Sequence, residues 1–152
     1  MANSPTAYLK SLHTAAIDAK NGYREALKEA EGHGLTGVFE RMEALHARDE
    51  DELAAELAGT GEDSDTGGSV ITVINKVIID VRSLFGGLKE SILPGLIDGE
   101  SRILGRYDDA LASGVLPQRQ EELLRRQRNL LNSEVEGMRR ARATADESKP
   151  TR

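Results

Sequence analysis

LIDGESRILGRYDDAL, residues 96–111, sets Leu96, Ile103, Leu104, Tyr107 and Leu111 at the three- and four-residue intervals that line one face of a helix. At roughly 100° per residue, Glu100 falls between the directions of Leu96, Leu104 and Tyr107, in the middle of the face expected to be buried. An unpaired carboxylate in an apolar core costs roughly several kcal/mol even after relaxation. Whatever encloses this helix must therefore also satisfy Glu100 by a proton, hydrogen bonds, an ion pair or a cation.

The rest of the chain supplies helices to enclose it. Ser4-Pro5 is a helix entry, and Leu9, Leu12, Ala16, Ala19, Tyr23, Leu27 and Ala30 keep helical spacing up to Gly32-His33-Gly34, which predicts a first helix over 5–31. A second stripe, from Leu35 through Val38, Met42, Leu45, Leu53 and Leu57, predicts a helix over 35–58 that stops at Gly59. GTGEDSDTGGS, residues 59–69, is a loop by its Gly, Ser, Thr and Asp content. SVITVINKVIIDVRSLF, residues 69–85, is β-branched enough for a strand, but Ile74, Val77, Ile78, Val81, Leu84 and Phe85 fit a 3.6 period and the chain has no partner strand. It is predicted as a shorter crossover helix. The helix containing Glu100 spans 91–113, Pro117 opens a last helix over 117–142, and ATADESKPTR, residues 143–152, has no apolar period and reads as a flexible tail.

The fold class expected is all-α: a ferritin-like four-helix bundle of two antiparallel hairpins, joined by the additional crossover helix, in one domain over residues 1–142. With 38% hydrophobic residues, no Trp and few other aromatics, aliphatic side chains must supply nearly all the burial. Residues 43–65 are dominated by acids and residues 117–142 by arginines, which suits the second and last long helices as neighbours. A net charge of −6 disfavours nucleic acid and anionic membranes as partners. The absence of cysteine and of any long uncharged run suits the cytoplasm and gives no membrane span.

Several polar residues are expected to face inward beside Glu100. The helical wheel puts Gln127 and Glu134 on the apolar face of the last helix, and Asp49 with His46 on or beside that of the second. The first helix offers Tyr23, with His13 and Lys20 on its flanks, and is expected to lack an inward acid. Counted outward from the hairpin turns, Glu100 should share a level with His46 and Lys20, and Tyr23 a level with Glu134. Bundles of this kind can hold two iron or manganese ions through Glu-x-x-His pairs, and Glu43-x-x-His46 matches once, without a second copy. The segment Asp63–Gly68 imitates the start of a calcium loop, but Ile74 stands where the closing Glu belongs, and no phosphate loop is present.

On IDAKNGYREAL in the first helix, RMEALHARDEDELAAEL in the second, VRSLF before the fourth and DGESRILGRYDDAL within it, the chain resembles small bacterial four-helix-bundle proteins of ferritin-like fold that carry a domain of unknown function. The resemblance covers most of residues 8–140. It implies the ferritin-like fold and suggests metal binding or a stress role. Two functional expectations stand side by side. In the first, Glu100, His46, Asp49 and Glu134 hold iron or manganese, Tyr23 and Gln127 bond behind them, and the role is stress- or oxidant-related. In the second, the bundle is non-catalytic and structural, Glu100 is held by hydrogen bonds, and the protein forms a homodimer through the aliphatic crossover residues 70–85, whose apolar positions exceed one helical face.

Overall fold

A computed structural model describes residues 4–30, 36–59 and 93–148. It contains four helices, α1 (Pro5–Ala30), α2 (Thr36–Gly59), α3 (Leu93–Ala112) and α4 (Gln118–Ser148), and no strand among the described residues. The crossover helix expected over 69–85, and the dimer surface placed on it, lie outside the described residues.

Local signals account for the helix ends. Ser4 Oγ accepts from the Ala7 amide at 3.1 Å and its carbonyl accepts from Tyr8, satisfying two of the donors that a helix start leaves over. Pro117 stands immediately before α4 and its carbonyl accepts from the Glu121 amide at 2.9 Å, so its missing N–H costs nothing there. Between α3 and α4, Ser113 Oγ donates to the Ala110 carbonyl at 2.6 Å and Gly114 adopts φ 76°. A Cβ added at Gly114 meets nothing within 4 Å, so the cost of replacing it is purely conformational. Gly114→Ala is expected to lower stability by about 1 kcal/mol, read by urea denaturation, with no change in the helical signal.

α4 continues to Ser148, six residues beyond the end expected at 142, so most of the presumed flexible tail is helical. Sequence reading stopped where the apolar stripe stopped. Residues Arg139 to Ala143 are exposed, and here the helix propagates on backbone bonds and good helix formers without a buried face.

α1 packs on α2, α3 on α4, α1 against α3 and α2 against α4. Side-chain contacts give the directions. Arg24 meets Glu43 and Lys20 meets Glu50, so α1 and α2 are antiparallel. Tyr23 meets Glu100 whereas Ser11 meets Arg106, so α1 and α3 are antiparallel as well. Arg41–Glu134, Glu52–Arg126 and Glu56–Arg119 run α2 against α4 in the same sense. α2 and α3 consequently run parallel across the bundle, the arrangement expected for two hairpins joined by one long connection. The acidic second helix and arginine-rich last helix are neighbours, as their charges suggested, although exposed pairs of this sort contribute only about 0–1 kcal/mol each.

The core is aliphatic at both ends. Leu9, Leu12, Leu53, Leu57 and Leu124 fill the end near the α3–α4 turn, and Phe39, Met42, Leu93, Val135 and Met138 fill the other. Each such side chain contributes about 1.5–3 kcal/mol on burial. Between these ends lies a polar layer. No described helix is long and apolar enough to cross a membrane.

Candidate functional site

Glu100 is 1% exposed, as its position on the apolar face of α3 required. Two donors satisfy it. Tyr23 donates from Oη to Oε2 at 2.5 Å, and His46 donates from Nε2 to Oε1 and Oε2 at 3.1 and 3.0 Å. The ring of Tyr23 stacks on that of His46 with centroids 6.0 Å apart and planes 11° from parallel, so the two donors reach the carboxylate from neighbouring helices side by side. Phe39 closes over the other side of Tyr23 at 5.9 Å.

A second group lies about two turns further along α3. Tyr107 has one hydroxyl proton and two acceptors, Gln127 Oε1 at 3.1 Å and Asp49 Oδ2 at 3.5 Å. The shorter contact takes the proton, which leaves Asp49 weakly served. Gln127 passes its own amide proton to Glu52 Oε1 at 3.0 Å, and Arg126 grips the same carboxylate at 3.2 Å. A polar chain thus runs from Asp49 in the core through Tyr107 and Gln127 to an ion pair on the surface.

The charges follow from these contacts. Burial alone would push the His46 imidazole down, but the Glu100 carboxylate, by charge and by hydrogen bond, outweighs it with help from Asp49, and His46 stands above the ordinary histidine value. Burial, with the Glu52 charge beside it, pushes Asp49 up to about 6 against the opposing pull of His46, Tyr107 and Arg126. Burial and the adjacent carboxylates raise Tyr23 and Tyr107 well above an ordinary phenol, so both remain donors. For Glu52, burial is outweighed by the bonds from Gln127 and Arg126, which hold its carboxyl below the usual range.

The structure brings together five of the six residues singled out in the sequence. Glu100, His46 and Tyr23 form one cluster; Asp49 lies three residues on from His46 and reaches Gln127 through Tyr107. Glu134 stands apart. It is half-buried and accepts from Arg41 at 3.4 Å, because the buried face of α4 runs through Gln127, Leu131, Val135 and Met138 and Glu134 stands at its edge, roughly 55° from the middle of that face. Tyr23 reaches Glu100, and Lys20 turns to Glu50. Glu43 points outward to Arg24.

Two residues carry more than the sequence disclosed. Tyr107 counted there only as an apolar position, yet its hydroxyl links Asp49 to Gln127. Asp18, 1% exposed, is a buried acid on the flank of α1, not among the polar residues singled out in the sequence. It escaped because it lies beside the apolar stripe of α1; its only sequence signal was its setting between Ile17 and Ala19.

The iron or manganese that the resemblance implies would need several carboxylate or imidazole ligands converging on one point. Glu100 and His46 already bond to one another and to Tyr23, Glu134 is engaged elsewhere, and no group of three or more His, Asp or Glu side chains among the described residues is arranged to hold a metal ion. As arranged, these residues do not fit a resident ion.

No curated protein and no solved structure matched the chain significantly. A family model did match, over residues 5–113, which takes in α1, α2, α3 and every member of the central cluster except Gln127. The chain belongs to that family, described as Domain of unknown function (DUF2383).

Proposed function

We propose that this chain is a non-catalytic structural or assembly bundle, whose central Tyr23–Glu100–His46 cluster sets the register of one helical hairpin on the other. The observation that carries the reading is the complete occupation of Glu100: both carboxylate oxygens accept from protein donors, one contributed by α1 and one by α2. Such a cluster can be satisfied only when α1, α2 and α3 stand at one relative height, which an aliphatic core alone does not demand. Homodimerisation through the apolar residues 70–85 belongs to the same reading, and light scattering on the parent and on Ile71→Glu tests it: one mass for both, that of a monomer, removes the dimer.

A second reading keeps the chain as a ferritin-like protein that binds iron or manganese in an oxidant-related role. The carboxylate and imidazole chemistry of Glu100, His46 and Asp49 favours it, and so does the path of two hairpins joined by one long connection. It requires His46 and Tyr23 to release Glu100. Titration of purified protein with ferrous iron and with manganese, on the parent and on Glu100→Gln, separates the two. The structural reading expects less than one equivalent bound at micromolar metal by either protein, and a Glu100→Gln variant within about 1 kcal/mol of the parent at neutral pH. Stoichiometric binding that Glu100→Gln abolishes would instead establish the metal site.

A further inference from the structure

Gln127 stands where the polar chain passes from core to surface, and it is fully buried, 0% exposed. A primary amide has two unlike ends: its oxygen only accepts and its NH2 only donates. Here Nε2 donates to Glu52 Oε1 at 3.0 Å, and Oε1 accepts from Tyr107 at 3.1 Å. Turning the amide over about its Cγ–Cδ bond would exchange these ends within the same volume. Oε1 would then face the Glu52 carboxylate, acceptor against acceptor, with no proton between them. The Glu52 charge therefore selects the orientation seen. That charge is secured from outside the core: Arg126 donates to both Glu52 oxygens, at 3.4 and 3.2 Å, and Arg48 adds a contact at 3.4 Å. Against the pull of burial, the bonds from Gln127 and Arg126 keep the Glu52 carboxyl below the usual range, so it stays ionised.

Tyr107 responds to the end it is offered. Offered an oxygen, it gives its single proton to Gln127 and turns a lone pair toward Asp49, 3.5 Å away. Offered an NH2, it would accept from Gln127 and give that proton to Asp49, a charged acceptor and the stronger bond. A cation in place of the carboxylate favours this second arrangement, since it has donors alone to set against Oε1, and Arg126 already stands beside Glu52. The charged groups that bear on Asp49 are His46 and Glu52 from α2 and Arg126 from α4, with the Tyr107 hydroxyl from α3. His46 is committed to Glu100, and on α1 Lys20 holds Glu50. Glu52 and Arg126 are the two within reach of an event at the surface. We propose that Gln127 is a two-position amide switch: the Glu52–Arg126 pair holds its nitrogen outward, and withdrawal of Glu52 by a competing cationic group turns it over and hands the Tyr107 proton to Asp49. The groove between α2 and α4 is thereby coupled to the core beside His46, whether or not the central cluster sets the helix register.

Nuclear Overhauser contacts of the Gln127 Nε2 protons, in the full chain labelled with nitrogen-15, read the orientation directly. Gln127→Met identifies their signal by removing it. In the parent the strongest contact should run to the Glu52 side chain, and in Glu52→Ala it should move to the Tyr107 ring. A strongest contact to Tyr107 already in the parent, or none gained in Glu52→Ala, overturns the proposal. Denaturation at about pH 8 supplies a second measure. Tyr107→Phe should lower the ratio of folded to unfolded chain about fivefold more in Glu52→Ala than in the parent, because the proton removed then serves a charged acceptor. In a Gln127→Met background that difference should vanish, Asp49 being the acceptor left to Tyr107 in either case. Equal losses in parent and Glu52→Ala, or a difference that survives Gln127→Met, would mean that Glu52 acts on the core by its field alone and would overturn the switch. Should Tyr107→Phe fail to fold, the Overhauser contacts in Glu52→Ala still decide.

Discussion

Replacing His46 by Leu is expected to cost about 3–5 kcal/mol at neutral pH, because it strips Glu100 of a partner on both carboxylate oxygens in a site that water does not reach. The loss reflects a charge left behind, not the worth of one hydrogen bond. Glu100→Leu should cost a similar amount, since it orphans the Tyr23 hydroxyl and a buried imidazole together. Removing all three polar groups, as Tyr23→Phe/His46→Leu/Glu100→Leu, should regain most of the stability, in line with apolar replacement of other buried ion pairs. Chemical denaturation of the single, double and triple variants checks this through their coupling. Additive losses, with no recovery in the triple variant, would mean that the cluster is not an energetic unit. The pH dependence has a definite sign. The folded His46 value lies above the unfolded one, so the stabilisation is fully present below about 6.5 and is lost as pH rises through the folded value.

Asp49→Asn is expected to stabilise the protein by about 2–3 kcal/mol at pH 7 to 8 and to leave it nearly unchanged below about pH 4. The folded carboxyl titrates at about 6 against an ordinary value of 3.8. The folded chain therefore binds more protons than the unfolded one between these values, and stability falls as pH rises through that window. An amide carries no charge to desolvate and still offers an oxygen to Tyr107. Thermal denaturation of parent and variant across pH 4–8 reads the difference directly. A variant less stable than the parent at pH 8, or a gap that does not widen between pH 4 and 6, would show that Asp49 is better served than its 3.5 Å contact with Tyr107 implies.

The candidate site was legible in the sequence as far as helix faces carry it. Glu100, His46, Asp49, Tyr23 and Gln127 all lie on or beside apolar stripes, and all are buried. Glu134 lies at the edge of a stripe too, within about 20° of the direction of Gln127, yet it meets Arg41 in the groove between α2 and α4. Periodicity cannot resolve a difference of a few tens of degrees when the helix carries few large apolar residues, as arginine-rich α4 does. Level along the bundle was harder still. Counting from presumed turns matched Glu100 with His46 but did not bring Tyr23 to the same carboxylate, since each uncertain helix end carries an error of a residue or two and about 1.5 Å for each.

What the amino-acid order determined by itself was the set of helices, the face each buries, and the fact that a carboxylate must be accommodated at mid-bundle. These follow from local spacing, caps and breakers, which act within a few residues. Which groups meet that carboxylate was decided only in three dimensions. The stacked pair of Tyr23 and His46 and the meeting of the Tyr107 hydroxyl with Gln127 and Asp49 depend on how neighbouring helices slide and rotate against one another, and no interval within a single helix records that.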